Sequence, residues 1–265
     1  MRPRLLPAVL LAGLLAACGD PAPVSDPGTA PTPAPSLPAD GGQARIDLAA
    51  RAALAQDHRF AALYTWDVDG QAPRSVVATV AADGSWRVDI PGGALGGTAD
   101  VSIVQTADGV FQCALPSATN PANPACVRVA EANKRLPDRY DPKVQRLFRQ
   151  WLPVFTDRQA ALSVVPARPL PGAESSPVPG ECYSVDGISA SLKAPVDVGI
   201  YCYADNGLLT AARVNFGTLI LAGVPAAAPP RVDLPGPVVD GEPMGLRSPP
   251  PPPVVEPSAS HDPVG

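Results

Sequence analysis

Proline divides this chain of 265 residues before any other feature is read. Its fixed φ and missing N–H exclude it from helix interiors and central strands, so a proline-dense stretch contributes little regular structure. Of the 36 prolines, seven fall in residues 20–40 and thirteen in 225–265, while the much longer stretch 41–224 holds fourteen. The middle is therefore the folding unit, and about 180 residues suffice for one domain with a substantial core.

The N-terminus carries an address. Met1-Arg2-Pro3-Arg4 precedes the thirteen-residue apolar run LLPAVLLAGLLAA, which is too short for a permanent bilayer span and has the form of a secretory signal. Leu15-Ala16-Ala17-Cys18 resembles the lipobox of bacterial lipoproteins. The resemblance implies cleavage before Cys18 and diacylation of its thiol, so the mature chain is lipid-anchored on the extracytoplasmic face of the cell membrane. Two or three acyl chains anchor stably where one does not. Residues 1–17 then read as a signal peptide, 18–43 as the acylated cysteine and a proline-rich tether, 44–223 as a globular domain and 224–265 as a disordered tail.

Charge removes one class of partner. The formal charge is −5, and losing Arg2 and Arg4 leaves 18 basic against 25 acidic residues. With three lysines and no basic run, nucleic acid is excluded as a partner. Four cysteines remain beside Cys18, an even number in an exported domain. Of the three possible connectivities the local one is favoured, Cys113 with Cys126 and Cys182 with Cys202.

Between residues 44 and 223 the periodicity changes from helix to strand. Residues 44–56 are alanine-rich and place Ile46, Ala49, Ala50 and Ala53 on one face, a first helix. Alternating runs follow at 60–68, 74–82, 86–90, 101–104 and 111–115, separated by Asp69-Gly70, Asp83-Gly84 and Asp108-Gly109. Asp-Gly between alternating runs is a strong hairpin signal. Asp141-Pro142 then starts an amphipathic helix over 141–152, with Val144, Leu147, Phe148 and Trp151 in one stripe. Thr156 with Gln159 offers a capping box for a further short turn ahead of 160–165, and after the loop 166–181 strand signals return at 182–185, 196–204, 208–216 and 218–222. The expected class is α+β, a curled antiparallel sheet of eight to ten strands with the N-terminal and middle helices packed on its concave face.

The lipobox, the tether, the order helix, meander, helix, meander, and the closing Tyr201-Cys202-Tyr203-Ala204-Asp205-Asn206-Gly207-Leu208-Leu209 resemble the half-barrel of Lol-type lipoprotein carriers and the related mycobacterial lipid-binding lipoproteins. The proline- and alanine-rich composition fits a high-GC actinobacterial source. The resemblance implies a hydrophobic cavity for acyl chains between sheet and helices, for which Trp86, Val88, Phe111, Leu147, Phe148, Trp151, Phe155 and Phe216 are candidates. The same side chains serve equally as ordinary core, because burial against protein and against lipid need the same residues.

Catalytic patterns are missing from the sequence. There is no G-x-S-x-G, H-E-x-x-H, Walker loop or dinucleotide fingerprint, and only two histidines. No catalytic residue, metal or cofactor is assigned, and the chain is read as a non-enzyme. The expected function is an anchored lipoprotein that binds or carries a lipid-like ligand. The alternative is an envelope structural or protein-interaction lipoprotein without one. A large apolar cavity favours the first, and a filled core with exposed apolar patches the second.

Overall fold

The Asp-Gly pairs turn the chain where their spacing requires. Gly70 and Gly84 adopt φ of 75° and 86°, a region closed to most side chains and open to glycine. The computed structural model describes residues 39–118, 121, 123–172, 178–188 and 194–248. Cys18, the residues read as a signal peptide and most of those read as a tether lie outside them. The chain opens with helix α1 (Ala39–Asp57), followed by β1 (Phe60–Asp67), β2 (Arg74–Val80), β3 (Trp86–Ala94), β4 (Ala99–Thr106), β5 (Gly109–Ala114) and β6 (Ala125–Ala130). A short helix α2 (Leu152–Thr156) precedes β7 (Leu162–Ala167), β8 (Glu181–Gly187), β9 (Gly199–Tyr203), β10 (Leu209–Val214) and β11 (Gly217–Leu221).

All eleven strands join one large, curled and unclosed antiparallel sheet in the order β6-β5-β4-β3-β2-β1-β11-β10-β9-β8-β7. Each half is a meander of sequence neighbours, and the pairing of β1 with β11 joins them, with Tyr64 opposite Leu221 and Trp66 opposite Leu219. Alternation along the strands separates two faces. One face presents Tyr64, Val88, Ile103, Tyr201 and Leu219 to the main core cluster, which also takes Leu48 and Ala52 of α1 and Leu152 and Phe155 of α2.

The other face carries two smaller clusters, each built around a disulfide and covered by a proline-containing segment. Cys113–Cys126 packs with Val104, Phe111 and Val232, and Cys182–Cys202 with Leu170 and Val178. Both bridges link directly opposed residues of neighbouring strands, with Cα–Cα separations of 3.9 and 4.0 Å. The favoured local pairing is the one found.

Several sequence expectations are corrected. Residues 141–152 do not form an amphipathic helix. Lys143 adopts φ 67°, and the segment is built from 3₁₀ turns at Asp138–Tyr140 and Val144–Leu147 before α2. Asp141 does not cap a helix; its buried carboxylate accepts from the Lys143 N–H at 2.8 Å and pairs with Arg146. The helix α1 begins at Ala39, inside the stretch read as tether, and buries Ala44, Leu48, Ala52 and Ala55 rather than the face of Ile46. A strand not singled out, β6, occupies one sheet edge.

The largest correction concerns the tail. Residues 224–248 form a strap that hydrogen-bonds to the sheet along its length; residues 249–265 lie outside the described set. Ala226 exchanges both backbone hydrogen bonds with Ala61, and the carbonyls of Pro229 and Pro230 accept from Ala82 and Asp83. Val232 is buried against Phe111 and Ala81. At the edge, the Cys126 N–H donates to the Pro237 carbonyl and the Val239 N–H to the Cys126 carbonyl, a parallel bridge that occupies edge groups pointing away from β5. Gly236 permits the approach, since a Cβ there would lie 2.1 Å from the Pro124 carbonyl oxygen. The strap then bonds through both Met244 backbone groups to the buried Gln112 amide. Proline lacks an N–H but keeps its carbonyl, so a stiff strap of acceptors can belong to a fold at low entropic cost.

A chain ending at Gly223 is expected to lose about 3 kcal/mol or more in urea unfolding, because Val232 and Leu234 leave their cluster and the β6 edge reopens. An unchanged midpoint would separate the strap from the fold. Reduction is expected to cost about 3 kcal/mol per bridge on the chain-entropy model, and peptide mapping should recover only the 113–126 and 182–202 pairs.

Candidate functional site

The space between sheet and helices was the expected binding site. β1 supplies Tyr64 to it, β9 supplies Tyr201 and Tyr203, and the segment between β6 and β7 supplies Phe148, Trp151 and Phe155, all buried. Tyr64 and Phe148 have ring centroids 5.0 Å apart, Phe155 meets Tyr201 edge-on at 5.0 Å, and Trp151 meets Tyr201 at 6.0 Å and Phe216 at 6.1 Å. These separations are those of aromatic pairs in direct packing. The Tyr64 hydroxyl donates to the Leu209 carbonyl at 2.9 Å and the Tyr201 hydroxyl to the Asp197 carbonyl at 2.5 Å. The Tyr203 hydroxyl is buried with no partner among the described residues. Burial pushes all three phenols far above the usual tyrosine range, with the neighbouring Tyr203 adding to the shift of Tyr64 and Tyr201.

Of the eight cavity candidates, the structure brings seven to this face. Trp86, Val88, Leu147, Phe148, Trp151 and Phe155 are buried members of the main cluster, and Phe216 packs half-buried against it. Phe111 is not among them. It points to the opposite face beside Cys113, because its neighbours along β5 point the other way, Val110 into the main cluster and Gln112 to Met244 of the strap. The open cavities divide the others: Phe155 borders a groove of about 500 Å³, Trp151 a hollow of about 490 Å³, Phe216 one of about 290 Å³ and Trp86 one of about 240 Å³.

The 490 Å³ hollow is the most charged. Asp141 Oδ1 accepts from Gln145 Nε2 at 2.7 Å and its Oδ2 from Arg146 Nε at 2.8 Å, while Lys143 Nζ lies 3.4 Å from Asp197. Asp138 is also within 3.6 Å of Arg146. These groups neutralise one another and hold the irregular segment against the core. His58 lies against Phe60, ring centroids 5.5 Å apart, and burial and Arg59 lower its pKa below the usual histidine value. Among the described residues no group of three or more His, Cys, Asp or Glu side chains is placed to hold a metal, and no helix is long and apolar enough to cross a membrane.

The 500 Å³ groove runs between α1 and α2. Ile46, Ala49, Ala50 and Phe155 form its apolar lining, with Arg45 and Arg158 beside them. Arg45 donates to the Asp157 carbonyl, yet its Nη1 is buried without a partner, and desolvation lowers its pKa. The sequence reading puts Ile46 and the alanines on one helix face and assigns that face no site. The signal was present: α1 is apolar on two sides, so one side had to remain uncovered by its own sheet.

Tyrosine offers a direct check. Because the folded-state pKa values of Tyr64, Tyr201 and Tyr203 are raised, their contribution to stability is complete below pH 10 and is lost as the pH rises past it, where only the unfolded chain ionises. Phenolate absorbance from these three should therefore appear together with unfolding, not before it. Tyr64→Phe should cost about 1 kcal/mol, and Tyr203→Phe should be neutral or stabilising; equal losses would contradict the assigned hydrogen bonding. The chain matches no family model, and no curated protein is found to be similar to it in sequence.

Proposed function

We propose that this chain is an envelope lipoprotein held on the extracytoplasmic face of the cell membrane by acylated Cys18, and that its domain works through its surface as an interaction module. The observation that carries this reading is the filled space between sheet and helices. Tyr64, Phe148, Trp151, Phe155 and Tyr201 occupy, in ring contact, the volume where a carrier would hold acyl chains. In the finer picture the sheet is a half-barrel of the Lol type with α1 and α2 on its concave face. Its two disulfides and its strap oppose the separation of strands that admitting a ligand would require.

A second reading keeps a lipid-like ligand but moves it to the α1/α2 groove. The groove volume of about 500 Å³ is that of ordinary small-molecule sites. Its apolar lining with two guanidinium groups suits an acyl chain ending in an anion.

Native mass spectrometry of the full mature chain carrying Cys18→Ala, together with displacement of a fluorescent acyl probe, separates these readings. The expected result is the mass of the bare chain and no displaceable binding. Lipid that co-purifies and leaves only on unfolding would overturn the first reading, and probe binding abolished by Ala50→Trp would establish the second. In cells, Cys18→Ala should release the protein from a salt-washed membrane fraction; retention after normal cleavage would contradict the anchor.

A further inference from the structure

The outward arc of α1 is apolar where a solvent-facing helix carries charge. From Ile46 to Leu54 the side chains on it are Ile46, Ala49, Ala50, Ala53 and Leu54, bounded by Gln43 one turn before and by the exposed Asp57 one turn after, with Ile46 62% and Leu54 48% exposed. Where α1 meets the segment around α2, arginines outnumber carboxylates, four against Asp57 and Asp157. Arg45, Arg59, Arg149 and Arg158 make no ion pair with a carboxylate among the described residues. Arg59 and Arg149 both donate instead to the Gln56 carbonyl, and Arg45 to that of Asp157. Asp57 and Asp157 are near enough to be felt electrostatically but do not pair with them. In a chain of net charge −5, a local excess of arginines beside the apolar arc marks a surface for an apolar, anionic partner.

We propose that this face lies on an anionic bilayer: Ile46 and Leu54 enter the headgroup boundary, the alanines between them let the helix approach closely, and the exposed Arg158 beside them meets lipid phosphates. The proposal deepens the lipoprotein reading and rests on it for its choice of occupant. Only twenty residues separate Cys18 from Ala39, a reach of about 60 Å at the polyproline rise, and they end at the first residue of α1. The anchor therefore keeps this helix within reach of the membrane. A second copy of the chain fits less well, because a two-fold interface would set the arginines of one protomer against those of the other.

The test uses the full mature chain with Cys18→Ala, so that no acyl chain contributes, in flotation with vesicles of phosphatidylcholine containing phosphatidylglycerol. The unmodified α1 face should carry the protein up with the vesicles at low salt. Ile46→Glu with Leu54→Glu should reduce binding about tenfold or more, and Arg158→Glu about fivefold or more. Both surfaces are exposed, and an unchanged melting temperature checks that the variants fold. No flotation of the parent chain, flotation indifferent to these changes, or a dimer in sedimentation that Ile46→Glu dissolves would each overturn the proposal. Because this chain is unacylated, failure here leaves the anchor standing, and failure of the anchor in cells leaves vesicle binding to be read independently.

Discussion

Tyr201 sits between Trp151 and Phe155, and that contact holds the irregular segment 138–156 to the sheet. The segment has little regular structure to stabilise it, since its 3₁₀ turns and the five residues of α2 satisfy few backbone groups internally. Its position comes from large side chains packed against β1 and β9 and from the buried Asp141–Arg146 pair, in which each ion also meets a second partner. A buried pair of this kind contributes little net stability but is costly to break, so it selects one arrangement of the segment over others. The aromatic contacts supply the energy and the ion pair the register.

The sheet raises a different difficulty. Eleven strands in an open sheet leave two edges and two faces to cover. The helices and the irregular segment cover much of one face. The opposite face is covered in patches, each a disulfide under a proline-containing segment, and the strap also closes the β6 edge. At the far edge, β7 carries Pro166, which removes a donor where further pairing would begin. Because β1 pairs with β11, the two meanders unite only when the last strand is in place.

Local features of the fold were legible. Asp-Gly turns and alternating runs encode hairpins through neighbouring residues alone, and both disulfides join strands adjacent in sequence and in the sheet. What depended on distant contacts was not. Val144, Leu147, Phe148 and Trp151 have helical spacing and are all buried, but the Asp141 side chain bonds the Lys143 N–H, Gln145 and Arg146 with Lys143 left-handed, a local alternative to the helix that burial against the sheet selects. In α1, Leu48 and Ile46 point to different sides, and only the sheet decides which side is covered. The strap has the composition of an unfolded tail; its spaced apolar residues Val232, Leu234 and Met244 were the sole sign that it packs.

The central claim is that the helix-bearing face is filled, which moves function from the interior to the surface. Phe148 tests it most directly, since it is buried against Tyr64 and borders none of the four open cavities that touch other candidate residues. In urea unfolding of the disulfide-intact protein, Phe148→Ala should cost about 3–5 kcal/mol, as truncation of a close-packed aromatic does. A loss below about 1 kcal/mol would mean that the ring borders empty space, and the interior would again be a place for a ligand.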